Sequence, residues 1–264
     1  MNISAKELFQ LQKNVEKSIL AAGLKIVASW EKVTSITYND IRDVVTNVDI
    51  DVENFLQEQL SKLLPEAGFI LEEGKAIKKG AYNWTIDPID GTKHYIHHLP
   101  MFYTQVSLLE ENDPVLGVVY DPICNQLFSS SRSNGCYLNG FKIVAKTQDD
   151  LSGSIIDIDF RGHEFLDWKM KVYSAVVPRC YRVRMTAGHL APYITTGAID
   201  AYIHFLGHDK IKNIVDLSPR ISLMSESSLY VRYTEVGATK KPILLAASKP
   251  LFDKLLQIIT EASK

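Results

Sequence analysis

Cysteine is scarce in this chain, and long apolar runs are missing. Cys124, Cys136 and Cys180 are the only three cysteines in 264 residues. An odd number without Cys-x-x-Cys spacing argues against a disulfide framework and points to a reducing compartment. No stretch approaches the ~18 consecutive apolar residues that mark a bilayer-spanning helix. The opening segment MNISAKELFQLQKNVEKSIL has neither the basic start nor the apolar centre of a secretory signal. A cytoplasmic protein without a membrane partner is expected. Charge of one sign is not in excess either: 29 Lys and Arg face 31 Asp and Glu, a net of −2. That balance gives no electrostatic case for nucleic acid. His97 and His98 are adjacent, so in a strand they would face opposite sides, and no third ligand stands at zinc spacing.

What is present is periodicity. Leu8, Leu11, Val15, Ile19 and Ile26 recur at helical spacing, as do Val52, Phe55, Leu56, Leu60 and Leu63 before Pro65. Short β-rich runs follow at residues 82–86, 104–109, 115–120 and 126–129, and Asn134-Gly135 and Asn139-Gly140 supply tight-turn signals. The middle of the chain therefore reads as an antiparallel meander. Beyond it the spacing predicts a strand at 154–160, helices through Leu166 and Tyr173 and over 188–196, and a strand at 199–203. A closing helix is expected to be capped by Ser248, with Pro250 in its first turn. No repeat, low-complexity tract or linker is visible. The expectation is a layered α/β (α+β) chain forming a single unit over 1–264, with a soft division into an α+β half (1–150) and an α/β half (151–264).

The stretch TIDPIDGT, residues 85–92, concentrates the chemistry. Pro88 cannot donate a ladder hydrogen bond and restricts Asp87 before it, so the strand is expected to end there. Asp87 and Asp90 would then sit at a strand end, and Gly91 and Thr92 would open a helix whose first N–H groups suit an anion. Other acids stand at element ends: Asp49 after VVTNV, Glu72 and Glu73 after FIL, and Asp216 in NIVDLSP, which reads as a strand-to-helix step. Separated carboxylates of this kind suit hard divalent cations such as Mg²⁺. Several of them together could hold two ions ~4 Å apart for phosphoryl displacement.

TIDPIDGT resembles the signature of the inositol monophosphatase family. DVVTNVD, FILEEG, GVVYDPICNQLF, GCYLNGFKI, TTGAIDAY and KPILLAASKPLFDKLL resemble the family's other segments in their usual order. The resemblance implies a layered αβαβα sandwich of the inositol monophosphatase and fructose-1,6-bisphosphatase type. It also implies a lithium-sensitive homodimer that hydrolyses a small phosphate monoester with two or three Mg²⁺ ions and no phosphoenzyme. By position, Glu72, Asp87 and the Ile89 carbonyl would hold the first ion. Asp90 would bridge to a second ion completed by Asp216, for which Asp209 is the rival. Asp49 and Thr92, with Glu72, would prepare a water. Asp90, Gly91, Thr92, Thr186, Ala187 and His204 would contact the substrate, a phosphorylated polyol or nucleotide.

The chain also departs from the family pattern. Leu71 replaces the glycine before the paired glutamates, and Val215 replaces the tryptophan before the late aspartate. Arg220 replaces the glycine that follows it, Ser227-Ser228-Leu229 stands for Ala-Gly-Gly, and Met185 and His204 stand for a glycine and a hydroxyl-accepting glutamate. These changes leave open a nucleotidase acting on 3′(2′),5′-bisphosphates, a fructose-1,6-bisphosphatase, or a catalytically weak member that binds a ligand or a protein.

Overall fold

The computed structural model describes residues 3–38, 44–74, 80–160, 164–237 and 240–264; Asp43, the first residue of DVVTNVD, lies outside them. In chain order the elements are α1 (Ala5–Ser29), β1 (Ile36–Tyr38), β2 (Val44–Thr46), α2 (Asn47–Leu63), β3 (Gly68–Leu71), β4 (Tyr82–Asp90), α3 (Thr92–Ile96), β5 (Tyr103–Glu110), β6 (Asp113–Asp121), β7 (Gln126–Ser131), β8 (Gly135–Leu138) and β9 (Phe141–Ile143). There follow β10 (Ile155–Asp159), α4 (Leu166–Val176), β11 (Arg182–Arg184), β12 (Ala201–Phe205), α5 (Lys210–Glu226), β13 (Tyr230–Val236), β14 (Lys241–Ala247) and α6 (Lys249–Ala262). Two compact units result. The first comprises Met1–Lys142 and Ile211–Glu226, the second Ile143–Lys210 and Ser227–Lys264. The first boundary falls between Lys142 and Ile143, and nearly all of α5 belongs to the first unit.

In the first unit the sheet order is β3-β4-β5-β6-β7-β8-β9. β3 runs parallel to β4, and β4 through β8 pair antiparallel, which is the expected meander. Helix α1 starts with a capping box, Ser4 accepting from the Glu7 amide and Glu7 accepting from the Ser4 amide. It buries Leu8, Val15, Ile19 and Ile26, one face at helical spacing, in a core shared with Leu56 of α2 and Trp84, Ile86, Val106, Leu108 and Val118 of the sheet. Strand side chains alternate between faces, so the intervening positions point the other way. Ile70 and Leu109 do so and meet Val215 of α5. α5 therefore covers the face opposite α1 and α2. It comes close because β6 offers Gly117: a Cβ there would lie 2.5 Å from the Pro219 carbonyl oxygen. On this same face Ser130 and Ser222 hydroxyls share a hydrogen bond of 2.8 Å.

Two expectations about this unit need correction. β4 does not stop at Asp87 but continues through Pro88 to Asp90, with its register to β5 shifting between Asp87 and Asp90. A bulge accommodates the missing proline donor. NIVDLSP is not a strand-to-helix step: Asp216 lies inside α5, and Pro219 is also within that helix.

The second unit has the order β11-β10-β12-β14-β13. β10 runs parallel to β11 and β12, and β14 antiparallel to β12 and β13. Ile156, Ile158, Ile203, Phe205, Ile243 and Leu245 face α4 and α6, whose Trp168, Val172, Leu251 and Leu255 complete the core. Residues 188–196, expected as a helix, form only a 3₁₀ turn over Ala191–Thr196. Ser248 precedes α6 but makes no side-chain cap bond to it, its hydroxyl donating to the Gln148 carbonyl instead.

Candidate active site

Parallel pairing brings the first two acids together. Leu71 lies beside Ile86 in the β3–β4 register, so Glu72, just past the end of β3, and Asp87, still within β4, come side by side. Asp87 follows Ile86, which belongs to the α1 core, and so faces α5. From that helix Asp216, 2% exposed, completes the group. One carboxylate oxygen from each of Glu72, Asp87 and Asp216 falls within 4.8 Å of the others. Asp209, the rival aspartate, is not one of the three residues of this group.

Three carboxylates this close repel when ionised. Asp87 is raised well above the ordinary carboxylate range, first because burial removes its hydration and then because Glu72 and Asp90 are near. Gln105 donates to Asp87 Oδ2 at 2.9 Å, whereas Oδ1 is buried without a hydrogen-bond partner. An orphaned buried acceptor inside a carboxylate cluster fits a hard divalent cation, whose ligands are oxygens. The opposing charge at the rim is Lys212, whose ammonium lies 3.5 Å from Glu72.

Asp49 sits at the third position of α2, where a capping box fixes it: the Thr46 amide donates to Oδ2 at 2.8 Å. Its other oxygen accepts from the Thr92 hydroxyl at 3.1 Å. Burial raises Asp49 to about 6, the hydrogen bonds from Thr46 and Thr92 pulling the other way. A carboxylate near 6 is mostly ionised at neutral pH and a stronger base than an ordinary carboxylate, the range useful to a general base. The Thr92 hydroxyl also lies 2.9 Å from the Ile89 carbonyl, so its single proton is shared between two acceptors. Gly91 stands at φ 102°, ψ 34°, a left-handed conformation that a side chain would strain, and it opens α3. Because α3 spans five residues, the anion seat expected there rests on the amides of Gly91 and Thr92 and gains little from a helix dipole.

Asp90 is occupied by a partner absent from the sequence expectation. Arg220, 2% exposed, forms an ion pair through Nη2 with Asp90 Oδ2. Arg220 lies one helical turn after Asp216, which puts both on the same side of α5. The i, i+4 relation was visible in the sequence, but only to a reading that placed 210–226 in a helix.

The remaining expected contacts belong to the second unit. Thr186 donates to Asp157, 3.0 Å from each carboxylate oxygen, and accepts from the Leu190 amide at 3.1 Å. Ala187 is exposed and has φ 51°. His204 is not a surface contact: it is 0% exposed on β12, with Nδ1 2.9 Å from Asp159 Oδ2 and 3.2 Å from the Tyr202 hydroxyl. Strand alternation turns it to the polar face of its sheet, and its Nε2 is buried without a hydrogen-bond partner.

The description "Inositol monophosphatase family" matches residues 8–213. The chain belongs to the inositol monophosphatase family. The match ends before Asp216 and Arg220, the segment that departs most from the family pattern. Curated relatives include an inositol monophosphatase of Dictyostelium discoideum, 30% identical over 213 residues covering 76% of this chain and 77% of the relative. Nus factor SuhB of Haemophilus influenzae is 31% identical over 69% of this chain and 71% of its own length. The match to Nus factor SuhB of Xylella fastidiosa, 29% identical, spans 60% of that relative. Among solved structures, the extragenic suppressor protein suhB of Bartonella henselae superposes with a TM-score of 0.83 at 23% identity, over 93% of this chain and 96% of that one. An IMPase of Thermotoga maritima gives 0.80, also at 23% identity, over 94% and 95%. The layered α/β fold is therefore that of the family. No helix among the described residues is long and apolar enough to cross a membrane.

Proposed function

We propose that this member of the family hydrolyses a small phosphate monoester, an inositol monophosphate or related sugar phosphate, with the help of bound Mg²⁺. The observation that carries the reading is the convergence of Glu72, Asp87 and Asp216, with Asp87 Oδ1 left unpartnered at its centre. These three side chains would hold the cation. When bound, it supplies positive charge to the phosphoryl oxygens and lowers the pKa of a water, the two needs of an anionic, slowly hydrolysed ester. Asp49 would accept a proton from a water at the site, and Thr92 would orient that water, its hydroxyl poised between Asp49 and the Ile89 carbonyl. Those two acceptors suit Thr92 for positioning, so no phosphoenzyme is invoked. The amides of Gly91 and Thr92 donate to a phosphoryl oxygen. By resemblance, Thr186 and Ala187 belong to the residues that hold the organic part of the substrate.

One observation favours a second reading. The buried pair Asp90–Arg220 removes a family metal ligand from service, and several relatives are named Nus factors rather than phosphatases. On that reading the chain binds a partner and turns over slowly or not at all. Phosphate release from inositol, fructose and glycerol phosphates and from adenosine 3′,5′-bisphosphate, with and without Mg²⁺, separates the two. Mg²⁺-dependent release that Asp87→Asn abolishes supports the phosphatase. Silence over the whole panel from folded protein supports the binding module.

A further inference from the structure

The buried arginine at the site has a charge that must be reckoned with. A guanidinium is never deprotonated in a protein, so Arg220, 2% exposed, brings a permanent positive charge into the carboxylate cluster. It is held from one side by α5, which also carries Asp216, and from the other by Asp90, whose side chain is 15% exposed. Asp90 is close enough to Asp87 to help raise it. The charges therefore form a compact set: Glu72, Asp87 and Asp216 converge on one point, and the fourth carboxylate is turned to Arg220. A dication bound through Asp90 would have to displace the guanidinium or sit against it, and either course leaves like charges together or a buried cation without its partner.

We propose that Arg220 takes the place of a second metal ion. The site holds one divalent cation, on Glu72, Asp87 and Asp216, and the guanidinium on Asp90 is the fixed second positive charge beside it. This rests on the reading of the cluster as a metal site. The Arg220 side chain is suited to the task because its planar guanidinium keeps its charge at any working pH and pairs with a carboxylate. The arrangement needs only one ion to be captured from solution.

The test is metal stoichiometry, read without substrate. Mn²⁺ is titrated into the purified full chain by calorimetry, and the loaded protein is examined by electron paramagnetic resonance, where two ions ~4 Å apart give a spin-coupled spectrum. The wild type is expected to bind one Mn²⁺ with an uncoupled spectrum, and Asp90→Asn to keep that stoichiometry of one. Arg220→Gly is expected to bind two ions with a coupled spectrum; Arg220→Met, which keeps the apolar stem and helix propensity, serves if the glycine variant does not fold. Two coupled ions in the wild type would overturn the Arg220 assignment and leave the metal-dependent reading standing. One ion in the wild type and in both Arg220 variants would also overturn it. No bound ion at all would overturn both.

Discussion

At neutral pH, replacing Asp49 by Asn should make the metal-free protein more stable and the enzyme inactive. Asp49 is 1% exposed, and burial lifts it from 3.8 to about 6. Below 3.8 the carboxyl is protonated in folded and unfolded chains alike and costs nothing. Between 3.8 and about 6 the folded state binds the extra proton, so stability falls as pH rises; above 6 the full cost of a buried ionised carboxylate is present. A rise of roughly two units at 1.36 kcal/mol per unit is about 3 kcal/mol. Asn keeps an oxygen to accept from the Thr46 amide, and its NH₂ can donate to the Thr92 hydroxyl, which still has the Ile89 carbonyl to bond. Little of the relief is therefore lost to broken bonds. Urea unfolding of both proteins in EDTA should show equal stability near pH 4 and a variant more stable by about 2–3 kcal/mol at pH 7. Phosphate release should fall by about 10²–10⁴, the usual contribution of a general base. A variant less stable than wild type at pH 7, or a stability difference that is the same at pH 4 and pH 7, would refute the reasoning.

Other consequences can be checked on the same material. Mg²⁺ at about 100 times its Kd should stabilise the fold by about 2.7 kcal/mol, raising Tm by several degrees in a thermal scan, and Asp87→Asn should erase the increment. Gly117→Ala puts a methyl against the Pro219 carbonyl, where a Cβ would lie at 2.5 Å, and so pushes α5 outward. Calorimetry should show weaker metal binding for that variant, with far-UV circular dichroism unchanged. Ile19→Ala, in the α1 core at 0% exposure, should cost about 2–4 kcal/mol in urea unfolding while leaving kcat/KM within a few-fold of wild type. His204→Ala should lower stability in urea unfolding, because it leaves Asp159 without its imidazole partner.

Much of the frame was readable from periodicity. Leu8, Val15, Ile19 and Ile26 marked the buried face of α1, and Asn-Gly turns at 134 and 139 marked the meander, because both signals are local. Glu72 and Thr92 stand at element boundaries, just after β3 and at the start of α3, which is where a local reading looks for polar function. What failed were the positions where tertiary structure overrode a local rule. Pro88 argued for a strand end, but a bulge between Asp87 and Asp90 absorbs the missing donor, and the ladder resumes at Asp90 opposite Tyr103. Pro219 argued against a helix around Asp216, yet α5 runs through it, packed against Gly117. The Asp159 partner of His204 was not legible in the sequence, because it lies beside His204 only through the β10–β12 pairing. Arg220 was visible as a departure from the family pattern, but its role depends on Asp90, 130 residues away in sequence.

The claim on which the account turns is that Glu72, Asp87 and Asp216 hold a divalent cation. Crystals of the protein grown with Mn²⁺ and measured at a wavelength where manganese scatters anomalously test it directly. An anomalous peak is expected within bonding distance of a carboxylate oxygen from each of the three residues. A peak elsewhere, or none at these carboxylates when the metal is in excess, would contradict it.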